Sequence, residues 1–334
     1  MGGILSPRIV WHDAATQNTK REKETITMPS TPVACGIAIP QVFTDSDVDM
    51  TFVRDFVQRA ETLNYESLWV QETIVSDFPI LEPVALLNYV AAITSKVRLG
   101  TSVLLTVLRN PVQLAKSLSS LDQMSKGRLT LGIGVGGHVP EKVFGYSSEL
   151  RARRFVEGIK IIKALWTESK ATVTGTFWNF ENVSMEPKPL QKPHPPIWFG
   201  ARLERPLRRA VRHGDGWMGA GSSSTQDFIK QSNLIRQYLH EADRDTAAFT
   251  VSKRVYIAVD NNRDRAERRL REWFGIRYKN ADMASDVAVW GNIDECVNKV
   301  GEIVRAGAEH LLFNPAFDDM EHLELCAQEI IPKI

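Results

Sequence analysis

Short apolar runs alternate with longer amphipathic runs from Val33 to the end of the chain, and this alternation is the strongest constraint on what the chain can fold into. Val33–Ile39, Ser67–Gln71, Val97–Leu104 and Leu129–Val135 read as the first four strands. Between the first two, Phe52, Val53, Phe56, Val57, Ala60 and Leu63 share one face of a helix. Pro83–Ile93 and Pro111–Met124 each place proline in the first turn of a helix, where its missing N–H is no loss. A long amphipathic helix is expected at Glu149–Trp166. Four further strands are expected at Ile197–Gly200, Gly216–Gly219, Thr250–Val259 and His310–Asn314. Helices are expected at Pro206–His213, Gln226–Glu241, Arg263–Phe274, Ile293–Ala306 and Glu321–Ile330. Eight strand–helix units over roughly 300 residues predict an α/β fold, a (β/α)8 TIM barrel. A doubly wound parallel sheet is the competing arrangement.

Between strands four and five, Thr172–Phe180 reads as a hairpin with Gly175 at its tip. A loop holding Pro187, Pro189, Pro193, Pro195 and Pro196 follows, so this region is an insertion, and long loops of this kind usually carry function. Trp178 and Phe180 in it are candidates to roof a pocket. The barrel domain is expected to occupy residues 32–334. Residues 1–31 are polar and lack the apolar core of a secretory signal, and they read as a disordered N-terminal extension. Asp13, Glu22 and Glu24 argue against a transit peptide.

The formal net charge is +1, so neither nucleic acid nor an anionic membrane surface is an expected partner. No run approaches the ~18 apolar residues of a spanning helix. Cys35, Cys296 and Cys326 are far apart, without the paired spacing of a zinc or thioredoxin-like motif. An odd, sparse count suits a reducing cytoplasm. The histidines show no metal-binding spacing, and no metal is expected. A small-molecule substrate is the expected partner.

Strand five runs into Gly200 and Ala201, and a basic helix follows. Backbone amides there, with the Arg202 guanidinium in the turn, would clamp a phosphate. Arg205, Arg208 and Arg212 share a helix face and read as solvated. Gly132 to Gly137 match G-x-G-x-x-G, but His138, Val139 and Pro140 intervene before any helix, so the dinucleotide reading is weak. Gly134, Gly136 and Gly137 either let a flat ring lie against backbone or serve packing. His138 and Glu141 are candidate cofactor or substrate contacts, the plain alternative being solvated side chains. Trp217 ends strand six before the small-residue loop Gly219–Ser224, as a pocket wall or as core.

The run Leu99-Gly100-Thr101-Ser102-Val103-Leu104-Leu105, the Arg109-Asn110-Pro111 that follows, the glycine strand, Pro195–Trp217 and Trp290-Gly291 with Gly307-Ala308-Glu309-His310 resemble the bacterial luciferase-like oxidoreductases. The resemblance covers Val33 to Ile334. It implies a (β/α)8 barrel that holds FMN or the deazaflavin coenzyme F420. It also implies a bulge with a non-prolyl cis peptide at Ser102–Val103, behind the cofactor's central ring. Asn110 to Lys116 and Leu207 to Ala210 look most like the F420-dependent branch, with FMN the alternative. Glu141 matches an acid seen in many relatives. Members often carry an acid and then histidine at the end of strand two; here Glu72 is followed by Thr73. Glu72, with Gln71 and Thr73, is therefore the expected source of proton transfer or substrate hydrogen bonds. A strand-end glutamate otherwise serves as a cap or salt-bridge partner. With F420 the implied chemistry is hydride transfer to or from an alcohol, aldehyde or enone. With FMN it is oxygenation by reduced flavin and O2. A flavin-binding homologue without turnover is a third reading. Relatives are often dimers, so a homodimer is expected.

Overall fold

Strands buried on both faces need cover on both sides, and closing a sheet into a ring supplies it. The computed structural model describes residues 32–44, 47–136, 141–145 and 147–334. The expected disordered segment 1–31 lies outside the described residues. The elements in chain order are β1 (Ala34–Ala38), α1 (Met50–Thr62), β2 (Ser67–Val70), α2 (Pro83–Ile93), β3 (Arg98–Thr101), α3 (Pro111–Met124), β4 (Leu129–Ile133) and α4 (Glu141–Phe144). They continue with α5 (Arg151–Thr167), β5 (Ala171–Thr174), β6 (Asn179–Val183), β7 (Ile197–Gly200), α6 (Glu204–His213), β8 (Gly216–Gly219) and α7 (Thr225–Glu241). The chain ends with β9 (Thr250–Val259), α8 (Arg263–Tyr278), α9 (Ala284–Val287), β10 (Val289–Gly291), α10 (Ile293–Arg305), β11 (His310–Pro315) and α11 (Asp319–Leu325).

Strands β1, β2, β3, β4, β7, β8, β9 and β11 pair in parallel and close the ring, with β11 returning to β1. The fold is the expected TIM barrel. β2, β4 and β8 are buried along their whole length. Local chemistry sets the helix starts. Asp49 accepts from Phe52 N at 2.9 Å, Asn110 caps α3, and Ser224–Asp227 and Asn292–Glu295 form reciprocal capping boxes.

Two features were not expected. The first is the partner taken by the end of β9, whose bounds are the expected ones. Its first four residues pair with β8 and its last three with β10, which lies outside the ring. α8 and α9 pack on this overhang around Tyr256, Phe274 and Trp290. α8 also runs four residues beyond its expected end, to Tyr278. The second is the place of the insertion. The β5–β6 hairpin lies on the outer flank of the barrel, where the Glu157 carboxylate of α5 accepts from the N–H groups of Thr176, Phe177 and Trp178 at 2.8–3.0 Å. The proline-rich segment runs along α3, held by Ser119 and by Gln123 (2.8 Å to Lys188 O). The amide and hydroxyl groups of these outer helices satisfy its backbone carbonyls, so it stays there instead of roofing the barrel.

The barrel interior is aromatic. Trp69 stacks on Trp198 at 5.3 Å, and His310 packs against both. Ser67 Oγ accepts from Trp69 Nε1 at 2.7 Å and is also hydrogen-bonded to His310 Nε2 at 2.9 Å. His310 Nδ1 is hydrogen-bonded to Ser252 Oγ at 2.8 Å. Burial, with the Arg98 charge nearby, pushes His310 down to about 3 from its usual 6.5. Between those two values the unfolded chain takes up a proton that the folded chain refuses, so stability falls with pH across that window. His310→Gln should lower Tm near neutrality by losing these contacts, yet lose less further Tm on acidification to pH ~4.5 than the wild type. Thermal melts across pH check it, and an equal acid loss in both proteins would refute the assignment.

Candidate active site

The C-terminal ends of the strands form a cleft whose central feature is the bulge after β3. The Ser102–Val103 peptide is cis, as the resemblance implied. Ser102 N donates to Val70 O at 2.7 Å, Leu104 N to Gly132 O at 2.8 Å and Gly134 N to Leu104 O at 3.0 Å. Val103 lies between two glycines. A Cβ on Gly134 would stand 2.6 Å from Val103 Cγ2, and one on Gly200 3.0 Å from Cγ1. A Cβ on Gly132 would stand 1.8 Å from Thr101 O. The glycine pattern thus makes room for the bulge.

Two cavities meet at this bulge and share Ser102 and Arg254 in their walls. The glycine-side cavity, about 530 Å³, is lined by Ser102, Val103, Gly134, Gly136, Gly200, Ala201 and Arg202, seven expected cofactor residues brought together. Gly137 and His138 lie outside the described residues, and so does the side chain of Glu141, whose backbone opens α4. Trp217 is turned the other way. Its ring stacks on Phe228 of α7, and its Nε1 donates to Ala201 O at 2.9 Å behind the cavity wall. Side chains alternate along a strand, so its neighbour Met218 faces the barrel interior and the cavity.

The amide-side cavity, about 570 Å³, is lined by Gln41, Trp69, Gln71, Asn314, Asp319 and Trp273 among others. Gln71, Glu72 and Thr73 do not converge on it. Gln71 is in its wall. The Glu72 carboxylate is turned away, buried against Arg109 (Nε at 3.0 Å) and the Leu105 N–H. Burial pushes the Glu72 carboxyl above its ordinary range, while Arg109 pulls it back. Arg109 also pairs with Glu82 at 2.6 Å, so Glu72 ties the segment after the bulge to α2. Thr73 lines neither cavity. Trp178 and Phe180, on the outer flank, also line neither. α8 supplies the wall expected from the insertion, through Trp273 and Ile276 on one side and Tyr278 on the other.

Several polar residues in the cleft were not anticipated. Gln41 spans the cleft floor, donating to Gln71 O and Leu81 O at 2.6 Å each and accepting from Gln71 N at 2.8 Å. Lys253 is buried and donates to Ser223 O at 2.8 Å and to Ala220 O, which holds the small-residue loop over the glycine side. Burial pushes Lys253 down to about 7. Arg254 and Asn314 stand at the junction of the cavities, and Arg209 lines the glycine side. Asp319 is half-buried on the amide side, and burial with the neighbouring Asp318 charge pushes its carboxyl up to about 6. Two consecutive basic residues inside an otherwise apolar strand, Lys253 and Arg254, were the available signal for this group.

A family profile described as luciferase-like monooxygenase matches residues 35–310. The chain is 26% identical over 310 residues to the F420-dependent glucose-6-phosphate dehydrogenase of Kineococcus radiotolerans, covering 83% of this chain and 91% of that protein. Among solved structures, an F420-dependent secondary alcohol dehydrogenase in complex with an F420–acetone adduct superposes with a TM-score of 0.79 at 18% identity, over 91% of this chain and 99% of that one. The oxygenating constituent of 3,6-diketocamphane monooxygenase from Pseudomonas putida, in complex with FMN, superposes with a TM-score of 0.72 at 17% identity, over 90% of this chain and 98% of that one. At these identities the structural likeness speaks for the fold alone.

The bulge geometry makes a direct prediction. Gly134→Ala should cost about 1–3 kcal/mol of stability through its clash with Val103. Adding Val103→Ala should restore part of that loss. Denaturant melts of the two single variants and the double variant check this, and strict additivity would rule out the contact.

Proposed function

The chain belongs to the luciferase-like monooxygenase family, and from that premise we propose that it is an oxidoreductase that binds coenzyme F420 in the glycine-side cavity and transfers hydride to or from an uncharged alcohol, aldehyde or enone. One observation carries the reading. α6 starts without a side-chain cap at Leu203, and Arg202 and Arg209 border the same cavity with no carboxylate partner among the described residues. Free N–H groups and two uncompensated cations suit a phosphate or phosphodiester. Arg202 also donates to Ser222 Oγ at 3.3 Å, which sets its position beside the loop. At the other end of the cavity, Val103 and the bare backbone of Gly134 and Gly136 offer a surface for a flat ring. Similarity to an F420-dependent dehydrogenase over most of its length supports F420. The deazaflavin, when bound, supplies two-electron hydride chemistry.

The chain's own residues hold the substrate and exchange its proton. The amide N–H groups of Gln71 are the side-chain donors offered to the polar end of the substrate, Gln41 and Asn314 hold the surrounding wall, and Trp69, Trp273 and Phe317 enclose its apolar part. Asp319 is the proton-exchanging group of this proposal, and Glu72 braces the bulge. Asp49, Glu272 and Asp319 stand in the amide-side wall, where Arg269 is already paired with Asp318 at 2.5 and 2.9 Å. This charge arrangement disfavours a phosphorylated substrate. The proposal includes the homodimer and the cytoplasmic location expected from the sequence. No helix among the described residues is long and apolar enough to cross a membrane.

Titration of the purified protein with F420 and with FMN, followed by fluorescence quenching, tests the cofactor. F420 should bind at micromolar concentration or tighter, and Arg202→Ala with Arg209→Ala should weaken it on the order of tenfold or more. Selective binding of FMN would replace the reading with an oxygen-using monooxygenase, and binding of neither would end it. Carbonyl reduction should fall as pH rises through about 6 and lose that limb in Asp319→Asn, with a rate loss of about 10²-fold or more. Glucose 6-phosphate should not be turned over; measurable turnover would overturn the charge argument.

A further inference from the structure

Arg254 is buried at the wall shared by the two cavities, and its guanidinium meets only neutral acceptors. Nε donates to Asn314 Oδ1 at 3.0 Å, Nη2 to Gln71 Oε1 at 2.9 Å and to Asn314 Oδ1, and Nη1 to Ser102 O at 3.1 Å. The face of the guanidinium lies 4.9 Å from the Tyr256 ring. Arginine carries five N–H donors, so one N–H on Nη1 has no acceptor among the described residues. The carboxylates around the cleft are committed elsewhere or stand apart: Asp318 to Arg269, Glu72 to Arg109, and Asp49 to the N-terminus of α1. Among the described residues, no carboxylate pairs with Arg254. A buried charge without a counter-charge costs several kcal/mol in general, and a neutral amide donor would serve the same structural ties without that cost. The charge is therefore the part that the fold itself does not require.

We propose that Arg254 is a catalytic residue that holds the reacting oxygen of the substrate on its free Nη1 N–H and takes up the negative charge that forms there. The proposal rests on the oxidoreductase reading above and names the residue through which that site recognises a carbonyl or hydroxyl group. In the reducing direction, a reduced deazaflavin, when bound, would supply hydride to the carbonyl carbon; as that C–H bond formed, the C=O π pair would move onto oxygen and leave an alkoxide beside the guanidinium. A proton from Asp319 or from water at the cavity mouth completes the alcohol. In the oxidising direction the same atoms return: the hydroxyl proton leaves, the C–H pair departs as hydride to the oxidised deazaflavin, and the C=O bond re-forms. Arg254 acts by charge, as a preorganised donor aimed at the oxygen where charge develops. Gln71 and Asn314 are positioning residues that hold the guanidinium plane.

The test uses Arg254→Met and Arg254→Lys beside the wild type, with three measurements on each: Tm, equilibrium binding of F420, and kcat/KM over a panel of ketones and aldehydes with F420H2. If the proposal holds, Arg254→Met still binds F420, loses some Tm with the hydrogen bonds that the guanidinium gave, and loses on the order of 10²–10³-fold in kcat/KM at saturating F420. Arg254→Lys, which keeps the charge without the planar fork, recovers part of that loss. Turnover by Arg254→Met within about threefold of wild type, with F420 bound, overturns the role of Arg254 and leaves the oxidoreductase reading standing. A wild type that binds neither F420 nor FMN overturns the oxidoreductase reading and this inference with it. If Arg254→Met does not fold, the wild-type protein with F420 is titrated with isobutyramide labelled with ¹³C at its carbonyl. Its C=O stretch should move to lower frequency on binding, as a charge-assisted hydrogen bond demands, and a bound carbonyl at the solution frequency refutes the contact.

Discussion

The available space beside Gly132, Gly134 and Gly200 decides where the chain goes after β3. With side chains at these positions, Thr101 O and the isopropyl group of Val103 would have nowhere to stand. With none, the segment folds inward, and its peptide groups still find partners in Val70 O and Gly132 O. Close packing makes such a fit all-or-none, since interiors have little free volume to yield. The rest of the cleft follows from this one accommodation. The bulge divides the barrel mouth into two cavities, presents Ser102 O to Arg254 and Leu105 N–H to Glu72, and puts Val103 on the wall of the glycine side.

Charge is distributed unevenly around that division. On the glycine side, Arg202 and Arg209 pair with no carboxylate among the described residues, beside a helix start with no side-chain cap. On the amide side, the lip carries Asp49, Glu272 and Asp319, and Arg269 is paired with Asp318. Between them lies a single buried guanidinium ringed by neutral oxygens. Buried positive groups in this protein are thus of two kinds. Lys253 and Arg128 hold backbone carbonyls of loops and turns, which is a structural use. Arg254 differs in bordering both cavities.

Much of the barrel was legible in the residue order. Pro83 and Pro111 at first helical positions, the capping residues and the apolar runs locate most helices and strands closely, the C-terminal ends of β3 and α8 excepted, because each of these signals is local. The bulge at Ser102–Val103 was legible through the family resemblance, whereas the residues alone read equally as an ordinary strand; the glycines are small there because Thr101 O and the Val103 side chain approach them closely. The overhang of β9 was not legible, because its length is clear but the strand it pairs with comes from a three-residue segment around Trp290 that looks like a loop in isolation.

Residue order alone carried the alternation of strands and helices, the small-residue turn before α6 and the glycines that flank the bulge. Which polar side chains share the cleft was settled by ring closure. Gln41, Gln71, Arg254 and Asn314 come from four strands or strand ends spread over most of the chain, and no local pattern links them. Tertiary packing also settled that Glu72 points at Arg109, that Trp217 turns outward while Met218 turns in, and that α8, not the proline-rich insertion, walls the cavity. The physical reason is the same in each case. Secondary structure is set by hydrogen bonds and steric limits within a few residues, whereas the direction of a side chain at a strand end is set by whichever partner ring closure brings opposite it.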